Sequence, residues 1–413
     1  MKTLKLFSMC VIALSMAFTS CTPTAPIDVN TIVEDGFYIK GDASGAATLI
    51  KAGKMQNGYN ENASNVQTAG LYEKYVALET GKTFTIVKKA GTIETTYGID
   101  VIKDSTTTGA DYNISGANVK FGTYKENGTA FSVAKTQLYQ VVVYEATKTV
   151  AIIPVKWQTN GLGTPDSLGL VGAYNNTTMT YRLTNVVADL GTFKIKSYNG
   201  WKFDMTPKET VAANKVKVNC NFGATKTGTV ADPFKFDGTA NNVMQGGPDI
   251  AIAFANRGKY TIDVIWTLGD GNSHVIKFTK TAELPIVDPS TFVYSMIGNA
   301  FNLPGGGPDA NWTYDNDLVY NAALSNVTDQ TSKFGTYAFK ATNVSVLAGG
   351  DFKIRKDHDW ATAYGYTAAN IKGDATNFVD DGGNIKVVAA ATYSTVVFKL
   401  TWPAATWDIT FTK

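Results

Sequence analysis

Histidine is almost missing: the 413 residues contain only His274 and His358. The two fall in what read as different modules, which leaves no plausible histidine-based catalytic triad or histidine zinc cluster. Cysteine is nearly as scarce. Cys10 lies in an N-terminal apolar segment expected to be removed and Cys21 at its end, which leaves Cys220 alone in the body of the chain. No intramolecular disulfide is then available, and stability must come from packed cores. Charge is thin as well, with 17% Asp, Glu, Lys and Arg and a net of +2. No dense Lys/Arg run can neutralise a row of phosphates, which argues against nucleic acid as a partner. Amphipathic helical periodicity is absent from the mature chain, so no glycine loop leads into a helix to cradle a nucleotide phosphate. No cofactor is expected.

What is abundant points to β-structure. Aromatics reach 12% and glycine 38 residues, with many threonines and few glutamates, a composition suited to twisted strands and turns. The length suits about three domains of ~120 residues, each burying its own core. At the N-terminus, Lys2 and Lys5 precede an apolar run over 6–18 that is too short for a spanning helix and ends at Thr19-Ser20-Cys21. Residues 1–20 read as a bacterial signal peptide, and the small residues before Cys21 resemble a loose lipobox, departing from it at Phe18. Lipidation is expected on Cys21. Residues 21–33, with Pro23 and Pro26, read as a stiff tether.

The rest of the chain is organised around 349–365. There Phe352-Lys353-Ile354-Arg355 leads into Trp360, and Phe193-Lys194-Ile195-Lys196 leads into Trp201 at the same spacing. Phe84-Thr85-Ile86 is a weaker third copy. Each copy sits inside a module with its own opening strand and closing hairpin. The openings are read at Gly36 to Asp42, at Leu168 to Asn175 after a connector through Gly161, Gly163 and Pro165, and at Tyr294 to Ala300. The closing hairpins from Tyr260 to Lys280 and from Tyr393 to Lys413 superpose without a gap, a strong repeat signal. The boundaries that follow are 34–156, 157–284 and 285–413. Between the shared strands the modules are expected to differ only in loops, around 211–247 in the second and 303–343 in the third. The predicted fold is all-β: three tandem immunoglobulin-like antiparallel β-sandwich modules.

Strand parity selects the candidate residues. With Phe352 and Ile354 inward, Lys353 and Arg355 point outward, as do Lys194 and Lys196. The matching positions of the first module are Val87, expected outward, and Thr92. A cation beside an indole is a carbohydrate platform, since sugars stack apolar faces on aromatic rings and bond their hydroxyls to polar groups. The same tryptophans also fit core positions at strand ends, and both readings stay open. Asp351, Asp357 and Asp359 read as solvated turn residues and not as a glycosidase pair. Turn chemistry likewise accounts for the Gly-Gly-Pro-Asp tetrads ending at Asp249 and Asp309, for Asp315-Asn316-Asp317, and for Asp380-Asp381-Gly382. No loop has a hand-type calcium spacing, so no metal site is expected. His274 reads as a structural strand residue, and His358 as a surface residue with ligand contact as the alternative.

Together, the opening at Tyr294 to Ala300, the Phe-Lys-Ile-Arg/Lys strand, Trp360 with Tyr364-Gly365, the closing hairpin and the lipobox cysteine resemble the SusE/SusF family of starch-binding outer-membrane lipoproteins of Bacteroidetes. The likeness is strongest from Leu168 onward. It implies a surface lipoprotein that holds α-glucan without cleaving it, beside a porin-type transporter and a lipid-anchored capture protein. It further implies stacking on Trp201 and Trp360, hydrogen bonding by Lys196 and Arg355, and secondary contacts from Tyr364 and Trp312. The first module, lacking both platform parts, is assigned as a spacer. Few acidic residues follow Cys21, a departure from surface-displayed relatives. The competing class is a structural or protein-interaction lipoprotein without glycan binding.

Overall fold

A computed structural model of the chain describes residues 33–104, 108–109, 112–113, 119–162, 167–197, 200–269 and 274–413. The signal peptide, nearly all of the tether and Cys21 lie outside the described residues. So do Tyr198 and Asn199. Among the described residues the regular elements are strands and three-residue 3₁₀ turns, with no α-helix. The fold is therefore all-β, in several antiparallel sheets that include a curled half-barrel and a near-closed barrel. One pairing runs parallel, between Ile371–Gly373 and Thr406–Thr412.

The chain separates into two compact units, Met1–Leu284 and Pro285–Lys413. In the first, Gln137–Tyr144 (QLYQVVVY) is a nearly unbroken apolar run buried on both faces. A half-solvated strand alternates; this one does not, because it has protein on each side. Tyr139, Val141 and Val143 pack on Phe37, Ile39, Phe84 and Ile86. The opposite face sends Val142 against Phe203, Met205 and Val218, and Leu138 against a cluster containing Trp157, Phe193 and Trp266. The first module thus has a core of its own, and on its other face it also shares buried clusters with the second.

The segment expected to be loop at 211–247 also differs. It holds the strands Lys217–Asn219, Asn221–Ala224 and Ala240–Gln245. Lys217–Asn219 pairs with Lys202–Asp204 and with the first module's edge at Asn60, through Val218. Its apolar residues Val216 and Val218 alternate with lysines, and the first module supplies the surface that buries them.

Three equivalent glycines correct the opening of the second module. Gly41, Gly161 and Gly298 have φ of 142°, 102° and 153°, and a Cβ on each would come within 2.5, 2.4 and 2.2 Å of the carbonyl oxygens of Thr83, Thr192 and Asp351. Only glycine allows that approach. The opening strand is therefore Gln158–Asn160, paired with Gly191–Lys196, not Leu168 to Asn175. Its signal is an aromatic four residues before the glycine: Phe37, Trp157 and Tyr294, each 1% exposed.

The closing hairpins are equal in length but slip by one in register. Phe278 faces Ile262, whereas Phe411 faces Val396, the counterpart of Asp263 in an ungapped alignment. The buried sets are Ile262, Val264, Trp266 and Val396, Phe398, Leu400. Matching them requires one inserted residue. The phenol hydroxyls of Tyr139 and Tyr260, each at the start of a closing hairpin, donate to the carbonyls of Lys135 and Asn256, four residues upstream, both at 2.7 Å, whereas Tyr393 at the same place in the third module donates to Asp374 Oδ2 at 2.9 Å. There the bond to a carbonyl four residues upstream is made from another strand, by Tyr337 to Lys333 at 2.8 Å.

Candidate functional site

In the second unit, Asp351–Lys356 alternates as expected, with Phe352 and Ile354 in the core. Trp360 lies on the adjoining strand Asp359–Tyr364 and is 48% exposed. Its ring centre stands 5.9 Å from that of Trp312 at an interplanar angle of 44°. The two indoles form a bent aromatic surface. Arg355 supports it, with its guanidinium carbon 5.0 Å from the Trp360 ring centre.

Arg355 was expected to point outward into water, but it is only 9% exposed. It leaves the core face as parity requires and is then covered. Its Nε donates to Asp315 Oδ1 at 2.9 Å, and Nη2 donates to Oδ2 of the same carboxylate. Ser295 donates to Asp315 as well. Burial alone would raise the Asp315 carboxyl, but hydrogen bonds from Arg355 and Ser295 outweigh it and hold the group below the ordinary carboxylate range. A two-point pair of this kind fixes the guanidinium plane, and the fixed plane positions the indole above it.

Trp312 depends on a different anchor. It has φ 56°, in the left-handed region, within a loop tied to Asp309. That carboxylate is 1% exposed and accepts the backbone N–H of Thr313 and Tyr314, at 2.7 and 2.8 Å, and the Thr313 hydroxyl at 3.0 Å. Asp309 and Asp315 were both read as turn residues. Asp309 does organise a turn, whereas Asp315 is the counter-ion of Arg355, a partnership between residues forty apart that no local pattern announces. Asp317, in the strand Asn316–Tyr320, accepts from His358 Nε2 at 2.8 Å, which fixes the imidazole proton on that nitrogen. His358 is exposed and has φ 54°.

Tyr364, expected as a secondary contact, rests against the core. Its ring lies 5.3 Å from Phe398 and 5.5 Å from Trp407. The acids nearest the platform each have a local partner: Asp351 receives Asn384 Nδ2 at 2.7 Å, Asp357 the Val293 N–H at 3.0 Å, and Asp359 the Ala361 N–H at 3.1 Å.

The second module reproduces the cation and the ring. Lys196 Nζ lies 4.3 Å from the centre of the half-buried Trp201 ring. Burial lowers the pKa of that ammonium. The Trp201 carbonyl accepts the Cys220 N–H at 2.8 Å and Asn221 Nδ2 at 3.1 Å, which pins it at the root of the hairpin shared with the first module. In the first module Val87, expected outward, is fully buried opposite Tyr38. His274 is a core residue, 3% exposed, among Tyr75, Trp157 and Phe222.

Compared in sequence with protein-family profiles and with curated proteins, the chain matches none.

Proposed function

We propose that this chain is a non-catalytic glycan-binding lipoprotein of the SusE/SusF kind, built as three tandem immunoglobulin-like sandwiches and anchored to the outer membrane through Cys21. The observation that carries the reading is the exposed Trp360 beside Trp312, with Arg355 clamped beneath it by Asp315. An exposed, rigidly held aromatic pair offers a stacking surface of the kind a sugar ring fits, and its bend suits a curved chain such as an α-glucan better than a flat one. The acidic residues around it are committed to local hydrogen bonds, which supports binding without hydrolysis. For the finer fold, the support is the tyrosine at the start of the closing hairpin that bonds back to the chain four residues upstream in the first two modules, as the corner tyrosine of immunoglobulin-type sandwiches does. Lys196 and Trp201 form the second site of the proposal, and the first module is its spacer. A porin-type transporter and a capture lipoprotein are the proposed neighbours at the membrane.

Affinity electrophoresis of the mature chain in gels containing soluble α-glucans tests the reading. Retardation that disappears in Trp360→Ala/Trp201→Ala is expected. Equal mobility of wild type and double mutant in every gel would leave the structural lipoprotein as the better account.

A further inference from the structure

Beside the tryptophan pair, the sheet of the second unit comes apart. Asn316–Tyr320 pairs with Phe334–Val346 at Val319 and Tyr320 alone, opposite Lys340 and Phe339, while its earlier residues pair with Tyr294–Ile297. Beyond Lys340 the two strands diverge around an open cavity of about 430 Å³. A second cavity of about 390 Å³ continues it, sharing Asp317, Ala341 and Thr342. Volumes of ~300–1,000 Å³ are usual for ligand sites.

The divergence is built into the strand. Asn343 has φ 52°, and the buried positions change there from Tyr337 and Phe339 to Val344 and Val346. A single left-handed residue turns the strand so that both pairs reach the core. The second module repeats the device at Asn185, φ 59°, where the register shifts between Leu183 and Val186. Both asparagines sit in the tripeptide Thr-Asn-Val, at 184–186 and 342–344.

The chemistry of the groove narrows its ligand. The first cavity is lined by carboxylates, amides and hydroxyls, among them Asn302, Asp315, Asp317, Asn343 and Ser345, with no Lys, Arg or His, and the second sets Lys340 opposite Asp317. An anionic ligand would meet repulsion in the first. Along 341–346, moreover, the strand edge away from Ala391–Trp402 has no ladder partner among the described residues. Its outward-facing backbone groups are open to hydrogen bonding. Such a surface suits an uncharged ligand dense in hydroxyls. Asp315 and Asp317 join the groove to the platform, since the first holds Arg355 beneath Trp360 and the second holds His358.

We infer that the groove is a second subsite, continuous with the Trp312/Trp360 surface, that receives the further units of a linear uncharged oligosaccharide whose first unit stacks on the indoles. The unit therefore selects chains over single sugars. This inference rests on the glycan-binding reading. It is tested by titration calorimetry on the full mature chain carrying Trp201→Ala, with linear α-1,4-linked glucose oligomers from the disaccharide to the heptasaccharide. Affinity is expected to rise at least ~10-fold along the series, equivalent to about 1.4 kcal/mol. Thr342→Trp and Ser345→Trp, which fill the groove from exposed positions, are each expected to cut that gain below about two-fold. Asn343→Gly, which keeps the backbone free to hold its φ, is expected to cut it partially. If the filled variants melt like the parent and keep the full gain, the groove inference is overturned while the platform stands, provided Trp360→Ala abolishes binding of every oligomer. If the parent binds no oligomer at all, both readings fall.

Discussion

The Arg355 guanidinium lies 5.0 Å from the centre of the Trp360 ring, held there by the Asp315 carboxylate. Because the cation is already spoken for, its role is to fix the ring and its edge, and the exposed face of the indole is left to a ligand. The analogous Lys196 lies 4.3 Å from the Trp201 ring centre, with no carboxylate ion pair among the described residues. The third module's site is accordingly the more rigid of the two.

Trp360→Ala is expected to leave the melting temperature nearly unchanged and to cost ~2 kcal/mol or more of glycan affinity, as truncating a binding hot spot does. Trp157→Ala serves as the contrast. That indole is 1% exposed in the core shared by the first two modules, and its removal should cost ~3–5 kcal/mol of stability. Thermal melting and calorimetry on both proteins decide the matter; a large melting loss in Trp360→Ala would return it to the core.

Asp315→Asn should damage stability and binding together. It leaves a buried guanidinium without its counter-ion, a loss of up to ~3–5 kcal/mol. Asp357→Asn, on an exposed acid paired with Lys356, should change stability by less than ~1 kcal/mol. Denaturant titrations that show equal effects from the two substitutions would contradict the clamp.

Acidification should weaken the first unit through His274. Burial, helped by the nearby Lys74 ammonium, pushes its pKa down to about 3. Folded protein therefore keeps the imidazole neutral while the unfolded chain takes up a proton below about 6.5, so stability is full above that pH and declines as pH falls toward 3. The slope for one such group approaches ~1.4 kcal/mol per pH unit. His274→Phe should flatten the stability profile between about pH 6.5 and 5.5, above the pH near 5 at which lowered carboxylates begin to contribute. An unchanged profile in the variant would exclude His274 as its source.

Phe203→Ala tests the shared core. Phe203 is 3% exposed, belongs to the second module in sequence, and packs 5.5 Å from Phe121 of the first. Its loss, about 3–5 kcal/mol, should lower one common transition of residues 33–284. Calorimetry that shows the first module melting at its original temperature would mean the two modules are energetically separate.

The all-β character, the repeat of Phe193-Lys194-Ile195-Lys196 in Phe352-Lys353-Ile354-Arg355, and the two ring-and-cation pairs were all determined by the sequence alone. Those features are local: alternation over a few residues sets which side chains share a face, and equal spacing carries a cation under a ring in both copies. Tertiary structure decided what lies across from each face. Val87 has the same parity as Arg355, and both are buried, Val87 beside Tyr38 on the face turned away from Phe84 and Ile86. Val216 and Val218 look like loop residues until the first module's edge at Asn60 receives them. Asp315 reads as a turn acid until folding brings Arg355 to it. In each case the deciding partner is far away in the chain, and short-range pattern has no access to contacts whose loop-closure cost is met only when the whole core forms.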